Sequence, residues 1–421
     1  MIEITKPEEL GFSSKRLERL TEWLGEQVSG DRVAGASVLV GRRGKVAYFE
    51  SAGEADKEQA QPFTKDTVVR IYSMTKPITT VAAMMLYEEG CFQLDDPVAK
   101  YIPEFEQVKV WAGQGDADNV VDCETSMLIR HAMSHTSGLT YGFMNSNPVD
   151  ALYRKNDMPK FETLEDWTAK LATIPLICQP GSQWNYSVST DVLGRLVEIW
   201  SGMTLENFFT ERLFVPLGMV DSGFQVKEEN QGRFSALYEP LVGPSMGSLN
   251  APDPGERHGL KLMEPYNKSR YFKPAGVFSG GNGLVSTMHD YSRFCQMLMN
   301  GGELDGVRIL SPTTVRHMRT NHLPVNKDMA AMGQPVWSET NYDGIGFGLG
   351  FAIVLDPVKA SIVASPGEHH WGGAASTFFL LDQVEDLYVI FLTQLIPSST
   401  YPIRRELRVR VYQAMTESYR S

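Results

Sequence analysis

Residues 70–80 read Arg-Ile-Tyr-Ser-Met-Thr-Lys-Pro-Ile-Thr-Thr, and the rest of the chain is organised around them. Downstream, apolar residues recur at steps of three and four until Gly90, a spacing that predicts an amphipathic helix with a glycine stop. A proline is tolerated in the first turn of a helix, where its missing N–H would have no partner, so Pro77 fixes where this helix begins. Ser73 should therefore lie at or just before the helix N-terminus.

Ser73 and Lys76 are three residues apart, so their side chains share one face and can meet. The macrodipole and the free N–H groups of a helix N-terminus favour negative charge, which would help a serine alkoxide and a neighbouring oxyanion. A serine hydroxyl is a weak nucleophile until a base takes its proton, and a lysine can help only if its surroundings hold it neutral or relay its effect. The pair is a candidate nucleophile and base; an N-cap serine followed by a solvated lysine is the alternative for so short a pattern.

The length, charge and composition of the chain limit the classes of protein and of ligand that are possible. At 421 residues the chain can bury a large core and form two lobes. Its net charge of -12 argues against nucleic acid and anionic membrane surfaces as partners, which favours a small-molecule ligand. The 42% hydrophobic and 21% charged residues are typical of a soluble globular protein.

The chain has no run of about 18 apolar residues, and residues 1–6 lack the apolar core of a signal peptide. We therefore expect a cytoplasmic protein without a membrane segment. The 4 cysteines are scattered without a Cys-x-x-Cys pair, which predicts neither a disulfide framework nor a zinc knuckle. We expect these residues to be reduced and buried: Cys91, Cys123, Cys178 and Cys295.

Hydrophobic periodicity and turn residues predict the order of the elements. The predicted helices are 13–28, with Ser13 as N-cap, the helix after Ser73, 128–133, 164–171, 192–200 and 403–415. The predicted strands are 36–41 and 45–51, joined as a hairpin, and 346–355, 376–381 and 387–393. Residues 225–278 are expected to form long loops. This order predicts one α/β (α+β) lobe from residues 1–72 and 281–421, with a mainly helical lobe, residues 73–280, inserted between them.

Two further stretches favour a chemical role for Ser73. Residues 181–188 read Gly-Ser-Gln-Trp-Asn-Tyr-Ser-Val and lead into the helix predicted near Asp191. Residues 370–374 read His-Trp-Gly-Gly-Ala and stand immediately before a predicted strand, where adjacent glycines let a backbone N–H approach a ligand closely. Three motifs in order are far more specific than any one of them.

Together these stretches resemble the serine β-lactamase and penicillin-binding-protein superfamily, specifically its class C β-lactamase-like branch, which includes the family VIII carboxylesterases. The likeness extends to residues 134–139 (Ser-His-Thr-Ser-Gly-Leu) and 280–286 (Gly-Gly-Asn-Gly-Leu-Val-Ser), and so covers nearly the whole chain. It implies an antiparallel sheet flanked by N- and C-terminal helices, an inserted mainly helical lobe, and an active site at their junction.

By this resemblance Ser73 is the nucleophile, Lys76 is the lysine of the Ser-x-x-Lys motif, and Tyr186 is the tyrosine of the second motif. The resemblance also implies that the backbone N–H groups of Ser73 and Ala374 form the oxyanion hole. A phenol becomes a usable base when a cation lies beside it, since the charge favours phenolate, and Lys76 is the cation that the sequence supplies. We expect Tyr186, assisted by Lys76, to take the Ser73 proton as the hydroxyl attacks an ester carbonyl.

Two departures from the β-lactamase pattern bear on the substrate. Val188 stands where the second motif ends in asparagine, which removes an amide contact. Trp371, followed by Gly372 and Gly373, opens the third motif where a lysine is usual, so a carboxylate-binding cation gives way to an apolar wall. Both changes favour uncharged esters over penicillins, and Trp-Gly-Gly is the form seen in family VIII esterases. These four residues are the expected substrate-binding residues.

Other candidate motifs are weaker. Residues 243–247 read Gly-Pro-Ser-Met-Gly and fit the Gly-x-Ser-x-Gly elbow, but the strand before it and the helix after it are missing, so Ser245 is assigned to a loop. His131 and His135 have the spacing of metal ligands without the glutamate of the zincin pattern. His369 and His370 beside Glu368 lack a partner motif. Structural roles are favoured for all of these histidines, and no metal site is expected.

The sequence therefore predicts a serine carboxylesterase that acts on short-chain, small-molecule esters without a cofactor. Three alternatives stay open. They are acyl transfer to an alcohol or amine, slow β-lactam or D-amino-peptide hydrolysis at the same site, and a penicillin-binding module that acylates without turnover. The sequence does not fix the oligomeric state.

Overall fold

An eight-stranded sheet forms the centre of the structure, a computed structural model that describes residues 2–245, 259–333 and 342–419. Every neighbouring pair of its strands is antiparallel. In spatial order the strands are Ile345–Phe347, Ala352–Val354, His369–Gly372, Phe378–Asp382, Leu387–Thr393, Gly35–Arg42, Lys45–Asp56 and Gln61–Pro62.

Both faces of the central strands are covered. Helices Ser14–Ser29 and Ile403–Tyr412 pack on one face, and helices Thr75–Glu88 and Met288–Met299 pack on the other. Strand side chains point alternately to the two faces. This is why every residue of strand Gly35–Arg42 is buried and why its sequence is a nearly continuous small and apolar run.

The remaining elements surround this core. The other α-helices are Ile129–Met133, Val149–Lys155, Leu164–Leu171, Ser189–Ser201, Leu205–Phe209, Val215–Leu217, Pro312–Met318 and Met329–Met332. Four small antiparallel pairs join Val69–Arg70 to Val285–Ser286, Lys109–Trp111 to Val120–Asp122, Leu237–Pro240 to Leu260–Glu264, and Glu303–Leu304 to Val307–Arg308.

The predicted fold class is confirmed. The sheet takes its strands from both ends of the chain and is flanked by the N- and C-terminal helices. Ser13 caps its helix as expected, since its side chain accepts a hydrogen bond from the Arg16 N–H at 3.3 Å. The division into lobes at residues 72 and 281 stays a prediction.

Three local predictions need correction. The strand predicted at 346–355 is a hairpin, because the chain turns at Gly350 with a φ of 86°, a left-handed conformation that glycine adopts readily. The third motif precedes strand Phe378–Asp382 as expected, but its first residues also belong to a strand, His369–Gly372, which was not predicted. The loops predicted at 225–278 contain the pair Leu237–Pro240 and Leu260–Glu264, whose short strands show little periodicity.

The cysteines follow the prediction in part. All are free, and Cys178 and Cys295 are buried, whereas Cys91 and Cys123 are half-buried. Among the described residues, no helix is both long enough and apolar enough to cross a membrane.

Candidate active site

Ser73 lies in a 3₁₀ turn, Tyr72–Met74, directly before helix Thr75–Glu88. The helix therefore begins where Pro77 predicts, and Ser73 stands at its N-terminus. Tyr72 has a φ of 42°, a left-handed conformation that bulky residues avoid. Such strain persists only where the surrounding structure enforces it, and it is concentrated at functional turns.

The Ser73 hydroxyl contacts both predicted partners. The Tyr186 hydroxyl donates a hydrogen bond to Ser73 Oγ at 2.6 Å, and Lys76 Nζ lies 3.3 Å from the same oxygen. Lys76 Nζ also donates to the Tyr141 hydroxyl at 3.0 Å and to the Gly281 carbonyl at 2.7 Å. The fold thus brings Ser73, Lys76 and Tyr186 together although 113 residues separate the serine from the tyrosine.

Burial sets the charge state of this cluster. Lys76 is 1% exposed, and burial lowers the pKa of its amine to about 7, although Asp191 nearby opposes the shift. Burial raises the pKa of Tyr186 well above its usual value, although the hydrogen bond with Ser73 partly opposes this. Burial therefore favours the neutral phenol in the resting site, and the role of Tyr186 as a base stays a prediction. Above about pH 7 both groups are neutral.

Asp191 organises the loop that receives Lys76. Its buried carboxylate accepts a hydrogen bond from the Gly281 N–H at 2.9 Å and another from the Ser279 hydroxyl. A side chain at Gly281 would collide with this carboxylate, which explains why glycine is required there. Burial raises the pKa of Asp191, and Lys76 opposes the rise. Asp191 thus fixes the carbonyl that binds Lys76 and supplies a negative charge near the amine.

The third motif forms the opposite wall. The Trp371 ring packs against Tyr186 and Phe347, with centroid separations of 5.4 and 5.3 Å. A Cβ at Gly373 would collide with the Thr377 hydroxyl and the Ile71 carbonyl, so only glycine allows this close approach to the turn that carries Ser73.

A small cavity of about 40 Å³ lies between Ser73 and this strand. Ala374, Trp371, Gly372 and Gly373 line it. Neither the Ser73 nor the Ala374 backbone N–H donates a hydrogen bond to another described residue. A cavity of this size has room for a water or a carbonyl oxygen.

A buried ion pair holds this strand to the C-terminal helix. Arg408 binds the Glu368 carboxylate, and both side chains are at most 2% exposed. Burial would raise the pKa of Glu368, but Arg408 and His370 outweigh it and lower it to about 2. Burial lowers the pKa of His370 to about 4, so that its imidazole is neutral at physiological pH. These residues support the strand, which agrees with the structural role expected of His370.

His131 and His135 also support loops. His131 Nδ1 accepts the Leu128 N–H at 3.2 Å. His135 Nδ1 lies 3.2 Å from the Ser187 hydroxyl, and its ring packs against Tyr186 at a centroid distance of 5.0 Å.

Val188 and a larger cavity complete the site. Val188 is 7% exposed and lines a cavity of about 940 Å³ together with Ser73, Tyr141 and Tyr186. Ser245, which is half-buried, lines neither cavity, and Met246 and Gly247 lie outside the described residues.

Two of these residues were missed from the sequence. Tyr141 follows the 134–139 motif by two positions, and a polar aromatic beside a motif was the only signal. Asp191 lies in the first turn of a helix, where an acid is ordinary because it complements the dipole.

The fold and this site define a member of the serine β-lactamase and penicillin-binding-protein superfamily, the resemblance expected from the sequence. The family profile described as beta-lactamase matches residues 20–413, so the chain belongs to the β-lactamase family.

Named relatives cover most of the chain. Protein Rv1367c of Mycobacterium tuberculosis is 36% identical over 370 residues, which are 87% of this chain and 86% of the relative. Esterase EstB of Burkholderia gladioli is 32% identical over 370 residues, 86% of each chain. Among solved structures, EstCE1, described as a hydrolase with promiscuous acyltransferase activity, superposes with a TM-score of 0.75 at 27% identity, covering 96% of this chain and 99% of its own.

Proposed function

We propose that the protein is a serine carboxylesterase of the family VIII type, which hydrolyses short-chain esters through an acyl-enzyme on Ser73. One observation carries the proposal. The Ser73 hydroxyl lies 2.6 Å from a phenol and 3.3 Å from a buried amine whose pKa is about 7. The similarity to EstB and EstCE1, named an esterase and a hydrolase, supports it.

Formation of the acyl-enzyme needs a base for the Ser73 proton. Neutral Lys76 is that base, because its amine contacts Ser73 Oγ directly and its pKa is near physiological pH. Tyr186 donates its hydrogen bond to the same oxygen and stabilises the developing alkoxide. The order of proton transfers therefore differs from the one expected from the sequence, in which Tyr186 accepts the proton first.

The leaving alcohol needs a proton in return. Once Lys76 is charged, a phenolate at Tyr186 becomes favourable, because an opposite charge lies beside it. Tyr186 then protonates the leaving alkoxide and recovers a proton from the Lys76 ammonium. In deacylation a water replaces the alcohol: the same pair accepts its proton, the acid leaves, and Ser73 regains its hydrogen.

The oxyanion is bound by the backbone N–H groups of Ser73 and Ala374 in the small cavity. This assignment is supported by the lack of another described acceptor for either group. Preorganised donors of this kind contribute roughly 3 to 4 kcal/mol to transition-state stabilisation. Trp371 and the glycines after it form the adjacent wall, and Val188 replaces a polar side chain. The absence of a lysine and an asparagine at these two positions disfavours the carboxylate and amide contacts that penicillins make there.

Acyl transfer to an alcohol instead of water is the second candidate. It is favoured by the description of EstCE1 and by the cavity of about 940 Å³, which has room for an acceptor beside a small acyl group. The cytoplasm is the proposed location, because free cysteines are typical of a reducing compartment.

The test is turnover of p-nitrophenyl acetate by the wild type, Ser73→Ala and Ser245→Ala. We expect Ser73→Ala to be inactive and Ser245→Ala to equal the wild type. Rapid quenching and mass spectrometry should show one acetyl group on the peptide that contains Ser73. A folded Ser73→Ala variant that retains activity would contradict the assignment. A single burst without steady turnover would indicate a penicillin-binding module instead.

A further inference from the structure

The large cavity beside Ser73 has a greater volume than a short-chain ester can fill. Its volume of about 940 Å³ is near the upper end of the range for ligand pockets, roughly 300 to 1,000 Å³. One part, which we term the apolar wall, consists of Phe161, Trp167, Leu171 and Ile174. An acetyl or butyryl ester bound at Ser73 would leave much of this volume to water. Burying apolar surface there would stabilise a complex with a bulkier ester.

Cations border the same cavity. The basic rim, as we define it, consists of four exposed residues that line the cavity: Arg154, Lys268, Arg270 and Lys273. Lys268 and Lys273 form no ion pair or side-chain hydrogen bond with any other described residue. The acidic lining residues are Asp157 and the buried Asp191. A cluster of four cations contrasts with the net charge of -12 for the whole chain.

The basic rim is held in place next to the catalytic turn. Arg70, three residues before Ser73, is fully buried, and its guanidinium binds the Glu264 carboxylate and the Ser269 hydroxyl. The same group stacks on Phe234, with Cζ 4.2 Å from the ring centroid. Because Ser269 lies next to Lys268 in the chain, these contacts anchor the segment that carries most of the basic rim.

We propose that the preferred ester carries a bulky apolar group that ends in an anion, a carboxylate or a phosphate. The apolar group contacts the apolar wall, and the anion is bound by the basic rim. The inference rests on the proposed function, because the ester reacts at Ser73. The absence of a lysine at the third motif does not conflict with an anionic substrate, because Trp371 does not line the cavity in which the anion is bound.

The experiment compares esters matched in length. On the acyl side, p-nitrophenyl octanoate is compared with p-nitrophenyl esters of the same chain length ending in a carboxylate or a phosphonate. On the alcohol side, octyl acetate is compared with acetates of eight-carbon alcohols bearing the same two anions, with acid release followed by titration. We expect at least one anionic series to exceed its neutral match in kcat/KM, and the preferred anion identifies the ligand class.

The variant Lys268→Gln/Lys273→Gln should lower the ratio of kcat/KM for the preferred anionic ester to kcat/KM for its neutral match by about fivefold, as expected for two exposed ion pairs. Added salt should reduce the preference of the wild type in the same direction. Lys155→Gln is the matched control. Lys155 is exposed at the end of helix Val149–Lys155, next to Arg154, and it does not line the cavity.

The outcomes separate the two proposals. If neutral esters are hydrolysed in a Ser73-dependent way but no anionic series is preferred, the inference is wrong and the esterase assignment stands. The inference is also wrong if the preference survives in the double variant. If no ester of any series is hydrolysed, the proposed function itself fails.

Discussion

Removing the charge of Asp191 should move the pH dependence of catalysis to lower pH. In the proposed mechanism Lys76 must be neutral to accept the Ser73 proton, so kcat/KM of the wild type should be high above the Lys76 pKa of about 7. Below that pH it should fall about tenfold per unit, as the protonated fraction grows. Asp191 raises the pKa of Lys76, because a negative charge nearby favours the ammonium form. In Asp191→Asn that support for the charged form is removed, while an amide oxygen can still accept the Gly281 N–H.

The size of the shift follows from the balance at Lys76. A close opposite charge shifts a pKa by about 1 to 3 units. Burial outweighs Asp191 here, so we take the lower end and expect the acid limb to move from about pH 7 to about pH 6. At pH 6 the neutral fraction of Lys76 would then rise from about a tenth to about a half. Relative to its own plateau, the variant should be about fivefold more active at pH 6 than the wild type.

The assay measures kcat/KM for p-nitrophenyl acetate from pH 5 to pH 9. The released p-nitrophenol is followed at the wavelength where its neutral and ionised forms absorb equally. The wild type and Asp191→Asn are compared by the midpoint of the acid limb. Their plateau values are not compared, since a lower plateau would report only that the loop containing Gly281 had moved. Asp166→Asn is the control, because Asp166 is exposed on helix Leu164–Leu171 and lines neither cavity. A midpoint that stays in place or moves to higher pH in Asp191→Asn would refute the electrostatic coupling.

Three further predictions follow from the same site. Tyr186→Phe and Lys76→Ala should each lower kcat by several orders of magnitude, and their combination should cost little more, because residues that act as a unit are non-additive; losses that multiply would show independent roles. A p-nitrophenyl short-chain ester should be turned over far more efficiently than a chromogenic cephalosporin. The two missing polar groups should cost β-lactams roughly two orders of magnitude in kcat/KM, and Trp371→Lys with Val188→Asn should restore part of it; an equal or higher efficiency on the cephalosporin would leave a β-lactamase. Lys76→Met should raise the free energy of unfolding at pH 7 by about 1 to 3 kcal/mol in urea denaturation, because the folded state depresses the pKa of this amine and the unfolded chain does not. This penalty is full below about pH 7 and fades toward pH 10.5, so a gain that does not shrink with rising pH would contradict its origin.

The position of Ser73 could be predicted because it depends on local rules. A proline restricts where a helix can start, and three residues of helix place two side chains on one face, so the sequence around Pro77 contains the relevant geometry. Strand Leu387–Thr393 was predicted with its correct ends for the same kind of reason, because β-branched and aromatic residues run between clear turn residues.

The neighbours of Lys76 could not be found in this way. Tyr141 is 65 residues from Lys76, and the Gly281 carbonyl is 205 residues away, so only the folded chain brings them to the amine. The charge states of Lys76 and Tyr186 could not be predicted from the sequence either. The sequence shows that Lys76 and Tyr186 are a cation and a phenol, but burial decides which form each takes, and burial is a property of the whole core. The turn at Gly350 was missed because apolar residues flank it on both sides and resemble one continuous strand.

The pairing of strand Gly35–Arg42 with strand Leu387–Thr393 also has a consequence for how the protein is made. Leu39 stands opposite Ile390, so the middle of the sheet cannot close until almost the whole chain has left the ribosome. Until then the first hairpin has one edge unpaired and apolar side chains exposed, which are features of aggregation-prone intermediates. Expression at low temperature or with a chaperone should therefore raise the soluble yield, whereas deletion of residues 387–393 should leave a full hairpin without its partner and an insoluble product.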